Sequence, residues 1–278
     1  MTLLVFGGSG YLGGETCRQA LAAGQTVVAT YHRAPGDVPG ARWHRVDLRD
    51  RAAVERLVDE VRPRTVVNAA YAHADWAVTA TGAAHVAAAA ARVGARLVHV
   101  SSDAVHGGRP EPYGEDADPT PVYAYGAAKA AAETAVALVA PAAAVVRCSL
   151  IIGPDARSKQ VALCLEALAP GSSVRLFRDE IRTPVAHDDL AAAVLELAED
   201  DYAGVLNIGG PEPMNRVELG EIVARAHGLD PGALRSATIA ESGLLRPATV
   251  ILDSTRAREV LKTRIRPVAD VLAAGSRT

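Results

Sequence analysis

The sequence predicts an α/β protein built on a doubly wound parallel sheet. A smaller, interleaved C-terminal region would bind substrate. Three observations predict this. Short apolar runs alternate with longer Ala-rich helical stretches over the first 150 residues. The runs carry Val at successive positions, as strands buried on both faces require. A glycine-rich turn stands between the first run and the first helical stretch.

The elements follow in order. Leu3–Phe6, Thr26–Thr30, Trp43–Val46, Thr65–Asn68, Arg96–Ser101 and Ala143–Arg147 read as strands. Tyr11–Ala23, Arg51–Val61, Ala83–Val93 and Tyr125–Val139 read as the helices between them. Strands separated by helices of this length imply right-handed crossovers. After Gly153 the pattern loosens. A helix is expected near Val161–Leu168, and an extended segment over Arg182–Val185. A second helix should run from Asp188 to about Glu199 with Asp188 as its N-cap. Val205–Ile208 reads as a strand, Gly209–Pro211 as a turn and Val217–Ala226 as a helix. The expected division is a dinucleotide-binding domain over 1–150 and a substrate-binding region over 151–278 that partly returns to it.

Composition excludes several classes. Of 278 residues, 49% are hydrophobic and 22% charged, which a folded core accommodates and a disordered chain does not. Only 11 residues are aromatic, and the 29 basic and 32 acidic side chains form no basic block. Nucleic acid is therefore not an expected partner. Cys17, Cys148 and Cys164 form no metal-ligand or disulfide spacing and read as buried apolar residues. No metal is expected. The most apolar stretch, Ala83–Ala91, is too short for a membrane span. Met1 leads straight into an apolar run that reads as a strand, so a cytoplasmic protein without a membrane partner is expected.

Gly7-Gly8-Ser9-Gly10-Tyr11-Leu12-Gly13 follows the first strand and opens the first helix. Residues without a Cβ let backbone N–H groups approach a pyrophosphate, and the helix N-terminus adds positive dipole. This strand–turn–helix context makes the fold Rossmann-type. An acid after the second strand would bind the adenosine 2′-hydroxyl. Tyr31-His32-Arg33 stands there instead, with no carboxylate before Asp37. Arg33 would pair with a 2′-phosphate, so NADP(H) is the preferred cofactor and NAD(H) the possible one. Asp47-Leu48 is placed either to touch the adenine or, through Asp47, to cap the next helix.

Tyr125 and Lys129 lie four apart on one helix face, downstream of Ser101-Ser102-Asp103 at the carboxyl end of a strand. A neighbouring ammonium would lower the phenol pKa from its usual value of about 10. Tyr125 would then exchange a proton with a carbonyl oxygen that Ser102 also bonds, while hydride comes from a nicotinamide.

These residues resemble the extended short-chain dehydrogenase/reductases, in the branch of dTDP-4-dehydrorhamnose reductase and related sugar-nucleotide-binding proteins. The resemblance covers nearly the whole chain. It is carried by Gly7–Gly13, Val67–Ala70, Val100–Val105, Tyr125–Lys129, Arg147, Arg182–Val185 with Asp189–Ala191, and Arg246-Pro247 with Leu252-Asp253. It implies Ser102, Tyr125 and Lys129 as the catalytic set. Ala69, Ala70, Tyr71 and Ser101 would line the cofactor, and Lys129 would hold its ribose. Asp103 would orient a hydroxyl or its loop. The implied substrate is a small molecule, a nucleotide-linked keto sugar, and the implied assembly a possible homodimer.

Departures from the branch cluster at the sugar end. Leu150 stands where a Trp is usual, Ala104 and His106 replace aromatics, and Thr79 stands where the superfamily often has Asn. A pocket of Leu150, Ala104 and His106 predicts weak reduction of dTDP-4-dehydrorhamnose itself. Arg182 is either a diphosphate ligand or half of a surface ion pair. His73, Asp75 and His106 read first as solvated loop residues, and Trp43 and Trp76 as packing residues. Two further readings stand beside the reductase: a sugar-nucleotide epimerase with tightly bound NAD, and a non-catalytic dinucleotide-binding regulatory subunit.

Overall fold

Apolar residues at successive positions produce strands that are covered on both sides. In the computed structural model of the chain, which describes residues 1–275, β1 (Thr2–Phe6) is buried at all but its first residue. It is followed by α1 (Tyr11–Ala22), β2 (Thr26–Tyr31), β3 (Arg42–Arg45), α2 (Arg51–Val61) and β4 (Thr65–Asn68). Next come α3 (Gly82–Arg92), β5 (Arg96–Ser102), α4 (Ala124–Val139) and β6 (Ala144–Cys148). Later come β7 (Ile151–Ile152), α5 (Lys159–Leu168), β8 (Leu176–Phe177), β9 (Ile181–Arg182), β10 (Val185–Ala186) and α6 (His187–Glu199). The chain closes with β11 (Gly204–Ile208), β12 (Met214–Asn215), α7 (Arg216–Ala226), β13 (Ser236–Ala237), α8 (Ile239–Ser242), α9 (Thr255–Val260) and α10 (Val268–Gly275).

Seven strands form one sheet in the order β3-β2-β1-β4-β5-β6-β11, and every pairing is parallel. The order reverses between β1 and β4, where Phe6 pairs with Asn68. A crevice opens at that reversal, beyond the carboxyl ends of the strands.

Alternate residues of each strand feed opposite cores. Leu3 and Val5 of β1 join Val27, Ala29 and Val67 against α1 and α6. Leu4 and Phe6 join Val28 and Val66 against α2, α3 and α4. A third core, around Val161, Cys164, Leu219, Val223 and Leu272, holds α5, α7 and α10 together. The central sheet also takes in β11, which pairs with β6 from a part of the chain beyond α5 and α6. Cys17, Cys148 and Cys164 are buried and free, and burial pushes their thiols up to about 12, 12 and 11.

Helices α3 to α7 each start one or two residues before the expected position. The N-cap of α6 is Ala186, not Asp188. Asp188 lies in the first turn, where one carboxylate oxygen accepts from the Asp189 amide and the other from Arg266. The start of α7 is fixed by a capping box of Asn215 and Glu218. Trp43 packs partly buried against the first core, whereas Trp76 is exposed and is not a packing residue. Among the described residues no helix is long and apolar enough to cross a membrane.

Candidate active site

The glycine turn is set by close backbone approaches. Gly7 has φ +81°, and a Cβ there would lie 2.7 Å from the Ala70 amide nitrogen. A Cβ on Gly13 would overlap the Gly7 carbonyl oxygen. The Gly10 amide donates to that same oxygen at 2.9 Å and closes the turn. Gly10 is the N-cap of α1, and no side chain caps the helix there. The first-turn amides therefore remain for a phosphate, and the cradle fits a dinucleotide. Gly13→Ala is expected to destabilise the fold by about 1–3 kcal/mol through overpacking and to weaken dinucleotide binding. Thermal unfolding and a fluorescence titration with NADPH check both.

Two clefts meet along the crevice. The first, about 590 Å³, is lined by Gly7, Ser9 and Gly10, by Tyr31, His32 and Arg33 after β2, and by Asp47, Leu48 and Arg49 after β3. Ala69, Ala70 and Tyr71 after β4 complete it. Asp47 does not cap α2, since Asp50 does. Its carboxylate accepts from Arg49 Nε at 2.9 Å and Nη2 at 2.6 Å. These bonds hold the acid at about 2, and it stands 3.7 Å from His32. Arg49 also lies 3.5 Å from Asp75. Arg33 is exposed and makes no hydrogen bond or ion pair among the described residues.

The second cleft, about 730 Å³, is lined by Tyr11, Leu12 and Gly13 and by the Ser102–Tyr125–Lys129 set. Gly126 explains how that set assembles. A Cβ on Gly126 would overlap the Ala104 carbonyl oxygen, so only glycine lets α4 start against the turn after β5. That contact carries Tyr125 to Ser102. The Ser102 hydroxyl donates to Asp103 Oδ1 at 3.2 Å and accepts from the Ala104 amide at 3.2 Å. Lys129 Nζ is fully buried and donates to the Val100 carbonyl at 2.8 Å.

The electrostatics correct one expectation. Burial, then the nearby Tyr71 and Cys148, push the Tyr125 phenol well above 10, and the neighbouring Ser102 hydroxyl only partly opposes this. The phenol is thus raised overall and not lowered, even with Lys129 in the same cleft. The Lys129 ammonium is itself brought down to about 8 by burial, because a charge far from water is costly.

Several neighbours differ from their expected places. His73 is an exposed loop residue, as expected, and its ring also stacks on Tyr125 with centroids 4.0 Å apart. Thr79, on a π-helical turn over Ala77–Thr81, bonds both the amide and the carbonyl of Ala72 and so pins the segment that carries His73. Asp75 accepts from the Val78 amide and starts that turn. Tyr71 lies between Tyr125 and Lys129, its ring 5.7 Å and 5.4 Å from them. Tyr11 stacks on His187 at 4.7 Å. Ser101 is buried and lines the second cleft, and its hydroxyl donates to Glu133 in a cluster that also holds Arg147. His106 is fully buried, stacks on Tyr113 at 4.0 Å and does not line the cleft. Leu150 and Ala104 do line it.

Arg182 is neither a surface ion pair nor a free anion ligand. It is buried, and its guanidinium donates to the carbonyls of Ile181, Ala248 and Pro247. It stands 3.8 Å from Asp103, whose other hydrogen-bond donor is Ser149 at 2.7 Å. Burial holds the Asp103 carboxyl above its usual range, although Arg182 and the serines oppose this.

The cleft also contains cations that sequence reasoning missed. Arg157, Lys159, Arg216 and Arg246 join Arg33, Lys129 and Arg182 on its walls, against two carboxylates, Asp103 and Glu180. Seven cations face one cleft in a chain of net charge −3. They come from segments far apart in sequence, and no local spacing signals their meeting.

The chain matches the family model described as RmlD substrate binding domain over residues 1–274. It is 32% identical to a dTDP-4-dehydrorhamnose reductase of Mycobacterium tuberculosis, over 86% of this chain and 80% of that one. It is 31% identical to a dTDP-4-keto-6-deoxy-D-glucose reductase of Streptomyces niveus, over 95% of this chain and 92% of that one. Its fold is similar to the crystal structure of a dTDP-4-dehydrorhamnose reductase of Bacillus anthracis in complex with NADP. That likeness has a TM-score of 0.83 at 20% identity and covers 98% and 97% of the two chains.

Proposed function

Since the chain belongs to the RmlD substrate binding domain family, within the extended short-chain dehydrogenase/reductases, we propose that it is an NADPH-dependent reductase of a nucleotide-linked 4-keto sugar. The observation that carries this reading is the joining of two features in one crevice. A dinucleotide cradle opens onto a cleft with Ser102, Tyr125 and Lys129 at its floor and an excess of cations on its walls. A diphosphate-linked substrate carries the charge that such walls favour. The reductase relatives named above support the same substrate class.

When bound, the nicotinamide supplies hydride. Gly7–Gly13 hold the pyrophosphate, Ala69 to Tyr71 line the dinucleotide, and Arg33 meets the 2′-phosphate. Ser102 bonds the substrate carbonyl oxygen. Tyr125, protonated across the neutral range, passes its Oη proton to that oxygen as charge develops there. Lys129, cationic below about 8, holds the phenolate left behind and bonds the ribose. Asp103 fixes the Ser149 hydroxyl and releases that of Ser102 to the substrate carbonyl. Tyr71 and His73 shield the phenol from water. We propose that residues 1–150 carry the dinucleotide and residues 151–278 most of the anion-binding wall.

Steady-state assays of NADPH oxidation with a panel of dTDP- and UDP-linked 4-keto sugars test the reading. Turnover with at least one keto sugar is expected. Leu150 gives the sugar less flat surface than an aromatic ring, so dTDP-4-dehydrorhamnose is expected to have a lower kcat/KM than a deoxygenated or amino keto sugar. Interconversion of sugar epimers without net NADPH use would sink the reductase assignment, as would binding of NADPH with no turnover of any substrate.

A further inference from the structure

One carboxylate organises the cationic wall. Glu180 lies just before β9 and is 2% exposed. Its Oε1 accepts from Arg216 Nη2 at 2.8 Å and from Arg246 Nη1 at 3.1 Å, and Arg182 Nη2 stands 3.3 Å away. Its Oε2 accepts from Arg246 Nη1 at 2.9 Å. Burial pushes the carboxyl pKa up, but the three guanidinium groups outweigh it and keep the acid ionised.

The three arginines are not equivalent. Arg182 is otherwise taken up by backbone carbonyls, and Arg216 also donates to Gln160. Arg246 is partly exposed and makes no other hydrogen bond among the described residues, so the rest of its fork is unclaimed on the cleft wall. It sits on an irregular segment after α8, and its guanidinium lies 5.7 Å from the Phe177 ring. A long side chain on such a segment loses considerable rotamer freedom when it is held in one place. Among the described residues Glu180 is the one carboxylate that holds it there.

We infer that Glu180 is a positioning residue that presets Arg246 and Arg216 for the diphosphate of the substrate. It acts on substrate binding and not on the reacting carbonyl. The inference rests on the reading that the cleft takes a nucleotide-linked sugar.

Two physical roles give opposite signs. Glu180→Gln removes a negative charge from the wall. If Glu180 merely offset the arginines, the variant would bind an anion more tightly. If it positions them, the variant binds more weakly, because an amide holds a guanidinium less firmly than a carboxylate does. Calorimetry on the full-length protein with dTDP, UDP and inorganic pyrophosphate reads the sign, with thymidine and uridine as uncharged controls. Glu180→Gln is expected to weaken the diphosphates about tenfold, roughly one charge-assisted hydrogen bond. Nucleoside and NADPH affinities should not change. KM for the keto sugar nucleotide should rise by the same factor at constant kcat. Equal or tighter diphosphate binding by the variant overturns the role of Glu180 and leaves the cleft reading intact. Failure of the unmutated protein to bind any of the three anions overturns the cleft reading and the inference with it. Should Glu180→Gln not fold, Glu180→Asp keeps the charge but withdraws it by one methylene. The same loss is expected there, and unchanged affinity overturns the inference.

Discussion

Tyr125→Phe is expected to lower kcat for reduction by about 10²- to 10⁴-fold, the range for a positioned general acid, while NADPH affinity stays within error of the unmutated protein. The ring and its stack on His73 remain, and only the hydroxyl, the proton donor, is lost. The pH profile carries a second test. The Tyr125 phenol lies well above 10 and stays protonated through the working range. The group that titrates near neutrality is Lys129, at about 8. Below that value its charge is present and holds the developing phenolate; as pH rises through it, the charge is lost. The rate of reduction should therefore fall above about pH 8, and Lys129→Met should remove that limb along with most of the activity. Full turnover by Tyr125→Phe would remove Tyr125 from the mechanism, and a flat profile through pH 8 would remove the Lys129 charge from it.

Arg33→Ala is expected to lower NADPH affinity about ten- to a hundredfold, the worth of one charge-assisted contact, with NADH affinity nearly unchanged. The reason lies in how the charges at the adenosine end are partnered. Arg49 is held by Asp47 and Asp75, whereas Arg33 has no partner among the described residues and remains free for a phosphate. Asp47 is the counterweight: its carboxylate lines the same cleft and is masked by Arg49. Arg49→Ala should unmask it and weaken NADPH more than NADH. Fluorescence titrations with both dinucleotides decide this. Equal NADPH and NADH affinities in the unmutated protein would end the argument for Arg33.

The fold and the floor of the site were legible in the sequence for local reasons. Val67 and Val98 are consecutive partners in a sheet covered on both sides, and such strands announce themselves by apolar runs. Gly7–Gly13 and Tyr125–Lys129 are short motifs whose spacing alone fixes which groups face one another. The walls were not legible. Lys159, Glu180, Arg216 and Arg246 belong to four separate segments, and tertiary packing alone joins them. His106 shows the opposite failure. Its neighbours in sequence belong to the site, but at the end of the short turn after β5 its ring is buried against Tyr113. Arg182 was placed in the correct cleft, yet its guanidinium is occupied by carbonyls that no local pattern foretells.

The late return of the chain to the sheet has a bearing on biosynthesis. The edge of β6 is paired only by β11, and the apolar side of α1 is covered by α6. Both covering elements follow the stretch that contributes Arg157 and Lys159 to the cleft. While the chain is being made, residues 1–150 are thus complete in sequence but bare along one edge and one helix, until Ile208 has left the ribosome. An unpaired strand edge beside exposed Val and Leu invites association with other chains. The nascent protein is therefore most vulnerable to aggregation after its first half is finished, and the emergence of α6 and β11 ends that interval.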